Sequence, residues 1–230
     1  MQYKNDIIEA TFLERPNRFI AHVLIDGKEE VVHVKNTGRC REILVEGVKV
    51  YLEQASNPNR KTKYSLISAY KGERLINIDS QIPNAIIENA VKDNKIKGID
   101  QTTFVKREVT YGKSRFDLYY ETEKSKGFIE VKGATLEIDG MITFPDAPTE
   151  RGTKHVLEMI DAVKAGYEGS IIFLVQMKDV DYFTPNKKMD PDFSKALKRA
   201  HKAGVRILAY DCIVTKDSIE FNEEVPVVFK

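Results

Sequence analysis

Three side chains in the middle of this 230-residue chain have the types and spacing to do chemistry together: Asp117, Glu130 and Lys132. They lie in Arg115-Phe116-Asp117-Leu118-Tyr119-Tyr120 and Phe128-Ile129-Glu130-Val131-Lys132, with a polar turn from Glu121 to Gly127 between the two runs. On a strand, side chains two apart share a face, so Glu130 and Lys132 point one way and Ile129 and Val131 the other. The polar turn favours a hairpin, and pairing its strands brings Asp117 and Glu130 together at one end of a sheet. Two carboxylates that close make each other costly to ionise unless a cation sits between them. Mg2+ or Mn2+ removes that cost, because hard cations take one or two carboxylates together with waters and substrate phosphates. A lysine beside the ion can help activate a water or stabilise charge developing at phosphorus. The chemistry implied is metal-dependent phosphodiester hydrolysis, with Asp117 and Glu130 as metal ligands, the Val131 carbonyl as a further one, and Lys132 catalytic. The structural alternative pairs Asp117 with Lys113 or Arg115 and Glu130 with Lys132.

The elements that must position these residues follow from periodicity. Pro83 opens a helix over 84–94 with Ile87, Ala90 and Val91 as its apolar stripe. Strands are predicted over 104–111, 115–121 and 127–132, then a helix over 153–165, a strand over 170–177, a helix over 192–203 and a strand over 205–210. Ile171-Ile172-Phe173-Leu174-Val175 is continuously apolar, as a strand buried on both faces requires. Residues 133–152 read as one long, stiff connection, and 178–191 as a surface loop. Arg151 and His155 are four apart and share a helix face. Arg151 is the candidate for holding the scissile phosphate, and His155 for binding phosphate or shuttling a proton. Asp146 is a further candidate carboxylate for metal or water. Before this part, residues 7–78 hold several short strands with regular turns, among them Asp26-Gly27 and Lys71-Gly72, which suggests a small barrel ending near Asp79-Ser80.

The Asp, spacer, Glu-x-Lys pattern resembles the signature of the PD-(D/E)XK nuclease superfamily. Further words narrow it: Asn36-Thr37-Gly38-Arg39-Cys40, Asn57-Pro58-Asn59-Arg60-Lys61-Thr62, Phe144-Pro145-Asp146-Ala147 and Thr149-Glu150-Arg151-Gly152. In this order, across nearly the whole chain, they resemble the sugar fermentation stimulation protein A family. The resemblance implies a two-domain α/β protein: an OB-like β-barrel over residues 1–81, and a PD-(D/E)XK nuclease-like domain with a mixed central sheet over 82–230. It implies DNA, duplex or single-stranded, as the partner. Arg39, Arg60 and Lys61 then become candidate phosphate contacts where the residues alone would suggest only solvated charge, with Tyr51 and Tyr64 as bases' stacking partners. A helical glutamate ahead of the first core strand supports the metal site in such folds, which singles out Glu88. Many nuclease relatives carry Gln and Tyr on the helix where Arg151 and His155 stand here. The alternative function is a non-cleaving DNA-binding regulator of sugar metabolism genes; a sugar-sensing barrel is a third reading, supported only by strand tyrosines and His33.

Lys plus Arg number 36 against 35 Asp plus Glu, a net charge of +1, so a DNA-binding surface must be a local patch. Cys40 and Cys212 have no paired spacing that would suggest a metal site or disulfide framework. With no apolar signal core after Met1 and no run of about 20 apolar residues, the expectation is a soluble, cytoplasmic protein. Oligomeric state is left open.

Overall fold

Residues 1–229 are described in a computed structural model of the chain. The N-terminal part is built from β1 (Ile7–Glu14), β2 (Ile20–Ile25), β3 (Lys28–Val34), β4 (Lys49–Gln54), β5 (Tyr64–Lys71) and β6 (Arg74–Asn77). The order β3-β2-β1-β4-β5-β6 closes through a parallel pairing of β3 with β5, giving a five-stranded OB-type barrel with β6 appended as a hairpin. Alternation drives the closure: Ala21 and Val23 of β2, and Val32 and Val34 of β3, point into a core shared with Val50 and Leu52. Asp26 and Gly27 both have positive φ (50° and 77°), which suits a tight turn between twisted strands.

The second part contains α1 (Pro83–Lys92), β7 (Thr102–Tyr111), β8 (Ser114–Thr122), β9 (Lys126–Ala134), β10 (Leu136–Ile138), β11 (Met141–Phe144), α2 (Glu150–Lys164), β12 (Glu168–Val175), β13 (Tyr182–Pro185), α3 (Pro191–Lys202), β14 (Arg206–Val214) and β15 (Ile219–Glu224). Its main sheet runs β15-β14-β12-β9-β8-β7. It is mixed: β9, β12 and β14 are parallel, while β8, β7 and β15 are antiparallel to their neighbours. Helix α1 covers one face, packing Ile86, Ile87 and Val91 with Ile129, Val131 and Leu174. Helices α2 and α3 cover the other, packing Val156, Met159 and Leu197 with Phe128, Ile171 and Phe173. The apolar run of β12 is buried on both faces, as predicted.

Two stretches expected to lack regular structure contain strands. Residues 133–152 hold the β10–β11 hairpin, and β13 from within 178–191 pairs in parallel with β11. At three or four residues each, these strands are too short for alternation to register. β15, also unpredicted, is an edge strand whose Glu220, Asn222, Glu223 and Glu224 hide its pattern.

The two parts are fastened at several points. Lys71 and Arg74 of the barrel reach the buried Glu137 on β10 at 2.6 and 3.0 Å. The Gln176 amide donates to Asn77 Oδ1 and to the Asp79 carbonyl, at 2.9 and 3.1 Å. The chain's first residues lie on the far part: Gln2 bridges to Ser218, the Tyr3 N–H donates to the Asp217 carbonyl at 2.9 Å, and the Tyr3 hydroxyl accepts from Asn77 at 2.8 Å. No helix is long and apolar enough to cross a membrane among the described residues.

Candidate active site

The β8–β9 ladder stops at Leu118 opposite Ile129. One step further, the same register sets Asp117 against Glu130. Here the two backbones part, and the Val131 N–H that would have continued the ladder donates to Asp117 Oδ2 instead, at 2.8 Å. A strand residue points its N–H and its carbonyl to the same edge. The Val131 carbonyl therefore also faces the gap beside Asp117. The other Asp117 oxygen accepts from the Asn84 amide, on the first turn of α1, at 2.9 Å.

Glu130 sits in mid-strand at 2% exposure, on the α2 face. One oxygen carries two cation-type partners: Lys132 Nζ and His155 Nδ1, each 2.6 Å from Oε1. The imidazole must donate through Nδ1, since an ionised carboxylate only accepts. His155 is itself buried, its ring held edge-on to Phe116. The second oxygen, Oε2, is buried and has no hydrogen-bond partner. Orphaned buried carboxylate oxygens are expensive, so such an atom takes a water or a ligand; Glu158 Oε2, also on the α2 side, is another.

The electrostatics distinguish the two acids. Burial pushes the Asp117 carboxyl above the usual aspartate range and the Glu130 charge adds to it; the Val131 N–H, Lys132 and Asn84 oppose this only in part. Burial also works against ionised Glu130, but the His155 hydrogen bond and the Lys132 ammonium outweigh it, and its carboxyl lies below the usual glutamate range. The pocket thus keeps one firmly ionised carboxylate beside one whose ionisation a cation would favour. No group of three or more His, Cys, Asp and Glu side chains placed to hold a metal occurs among the described residues. The donor set is two carboxylates and a carbonyl, which fits a hard ion that keeps several waters.

A cavity of about 560 Å³ opens beside His155, lined by Lys113, Ser114, Arg115, Arg151 and Lys154 with Glu150. Arg151 is exposed, and its side chain has no ion pair or hydrogen bond among the described residues. Of the two helix residues predicted for the site, His155 contacts Glu130, while Arg151 lines the cavity beside His155, and that lining does not include Asp117, Glu130 or Lys132.

The other predicted residues lie elsewhere. Glu88 points away from Asp117: Lys92 and Arg107 hold it, the first at 2.6 Å. Helix periodicity places Asn84, one turn earlier, where Glu88 was expected. Asp146 accepts the Arg39 N–H at 2.9 Å, in a groove between the barrel and the β9–β12 strand ends. Arg60 and Lys61 line a separate cavity of about 530 Å³ with His33, Lys35 and Gln81, so Arg39 does not share their surface. Tyr51 leans on Tyr70 with ring centroids 6.1 Å apart, and Tyr64 packs against the barrel core; both are half-buried. Asn84 carried no sequence signal beyond its place after Pro83.

Two family models match the chain: the sugar fermentation stimulation protein RE domain over residues 81–218, and the SfsA N-terminal OB domain over residues 13–78. The chain belongs to the sugar fermentation stimulation protein family. A family homolog from Alkaliphilus oremlandii is 59% identical over the whole of both chains. Another, from Clostridium tetani, is 54% identical over 99% of this chain and 100% of its own length. The structure of Pyrococcus furiosus SfsA in complex with Ca2+ superposes with a TM-score of 0.89 at 29% identity, covering 99% of each chain.

Proposed function

We propose that this family member hydrolyses phosphodiester bonds in DNA with a divalent ion, Mg2+ or Mn2+, held between Asp117, Glu130 and the Val131 carbonyl. The observation that carries the reading is the unpartnered, buried Glu130 Oε2 one step past the β8–β9 ladder, next to an aspartate whose carboxyl is raised. The Ca2+ in the Pyrococcus furiosus relative is a hard cation of the class this donor set suits. When bound, the ion neutralises the paired carboxylates and polarises a phosphoryl oxygen. His155 orients Glu130 and fills one of its oxygens, which leaves the other aimed away. Lys132 stands 2.6 Å from the same carboxylate, where its ammonium would orient the attacking water and stabilise charge developing at phosphorus. Arg151, in the cavity beside His155, is the residue this reading assigns to the phosphate.

Incubating purified protein with plasmid, with Mn2+ or with chelator, tests the reading. Cutting that needs Mn2+ and disappears in Asp117→Ala supports it; equal cutting by the variant overturns it. A second reading, DNA binding without cleavage, is favoured by exposed arginines that do not touch the carboxylates. It expects salt-sensitive retention of DNA that survives Glu130→Ala and no cutting by the wild type.

A further inference from the structure

An arginine-rich groove lies between the two domains, outside the carboxylate pocket. It encloses about 660 Å³, and its lining includes Gly133, one residue beyond Lys132, and Pro148, three residues before Arg151. Four arginines line it, Arg15, Arg18, Arg39 and Arg41, together with the Asp146 carboxylate. Arg18, Arg39 and Arg41 are exposed, and none of the three has an ion-pair partner among the described residues.

The backbone that carries Arg39 is held rigidly. Arg15 spends its guanidinium on the carbonyls of Arg18, Asn36, Gly38 and Arg39, at 2.5–3.0 Å. Asn36 Oδ1 accepts the Gly38 N–H at 2.7 Å, and a Cβ on Gly38 would meet that oxygen at 2.9 Å and Asp146 Oδ2 at 3.0 Å. A side chain there would have to displace the Asn36 and Asp146 oxygens that hold the Gly38 and Arg39 N–H groups, which gives the Asn36-Thr37-Gly38-Arg39 word a physical reason. One arginine is thus used to aim its neighbours. Beside them Phe19 is 56% exposed at the start of β2, with Arg18 over its ring at 6.0 Å.

Three unpaired guanidiniums against the single carboxylate of Asp146 leave the cavity net positive, which an anionic ligand relieves. Arginines beside an exposed aromatic on an OB-type barrel suit the repeating phosphate and base of a nucleic acid strand. The two backbones of a duplex stand across a groove about 12 Å wide, whereas these guanidiniums surround a single cavity of small-ligand size. We infer that the inter-domain groove binds one single strand of DNA, with Arg18, Arg39 and Arg41 on successive phosphates and a base stacked on Phe19. The inference builds on the nuclease reading in one respect: the groove would deliver a single-stranded end or branch to the carboxylate pocket, rather than intact duplex.

The test is fluorescence anisotropy with a labelled oligo-dT and a labelled duplex of equal length, in EDTA so that no cutting intervenes. The triple variant Arg18→Ala/Arg39→Ala/Arg41→Ala should lose about tenfold or more in oligo-dT affinity, and its log–log salt slope should fall by about 2, as loss of three single-strand phosphate contacts requires. Phe19→Ala should lose at least about fivefold at unchanged salt slope. Duplex affinity should change by less than about twofold in both. All four side chains are exposed, and an unchanged melting temperature verifies folding. Oligo-dT binding by the triple variant equal to wild type overturns the inference, as does an equal loss for duplex. A protein that binds in this way yet never cuts with Mn2+ would overturn the nuclease reading alone.

Discussion

Two buried glutamates seven residues apart, Glu130 and Glu137, each face two cationic partners, and they are satisfied in different ways. Glu137 uses both oxygens: Lys71 reaches Oε2, while Arg74 and the Gly140 N–H reach Oε1. Glu130 takes Lys132 and His155 on one oxygen and leaves the other buried and bare. The first arrangement is closed and joins two domains. The second is open toward a neighbouring carboxylate. Burial and countercharge alone do not separate a structural acid from a functional one; the lone pairs left over do.

Several experiments would break or sharpen this contrast. The largest expected effect is on activity. Asp117→Ala should lower Mn2+-dependent cleavage by about 10³-fold or more, beyond the ~100-fold typical of losing an outer partner of a metal ligand. Next comes stability: Glu137→Ala leaves two cations facing an emptied site, and chemical denaturation should show a loss of about 3 kcal/mol. Glu130→Gln should move stability by less than about 1 kcal/mol, since it replaces an acid that is only half satisfied. Equal losses in the two variants would erase the distinction. Asn84→Ala frees one Asp117 oxygen and should weaken Mn2+ affinity, read by calorimetry, about tenfold.

The smallest effect is on pH dependence, and its sign differs between the acids. The partners of Glu137 hold its carboxyl at about 2, against an ordinary 4.5. A depressed acid stabilises the fold above its unfolded value, so this contribution should be lost as pH falls from about 4.5 to about 2, and Glu137→Gln should be flat across that window. Asp117, whose carboxyl is raised, acts the other way: its contribution is present below its ordinary value of 3.8 and is lost as pH rises through its folded value.

Much of this was legible in the sequence because strand alternation is a strong signal. Ile129 and Val131 against Glu130 and Lys132 gave the correct faces, and the polar turn gave a hairpin whose register sets Asp117 opposite Glu130. Apolar runs and glycine stops located every helix of the second domain to within a few residues. What escaped depends on contacts between segments distant in the chain. Asn84 meets Asp117 only because α1 lies across β8 and β9. Glu88 had the right residue type and shares a helix face with Asn84, but it lies one turn further along α1, where it meets Arg107. Glu137 lies on a three-residue strand whose meaning comes from Lys71 and Arg74, more than sixty positions earlier. The exposure of Phe19 could not be told from a core phenylalanine without knowing where β2 begins.

The seating of Gln2 and Tyr3 against residues 217 and 218 has a consequence for biosynthesis. The barrel can close as soon as β5 leaves the ribosome, and Tyr3 can reach Asn77 soon after, but the backbones of Gln2 and Tyr3 have no partner until residues 217 and 218 have been made. This tie between the halves therefore forms only after residue 218 has been made, and a ribosome stalled before residue 217 would display a barrel whose leading backbone is unpaired.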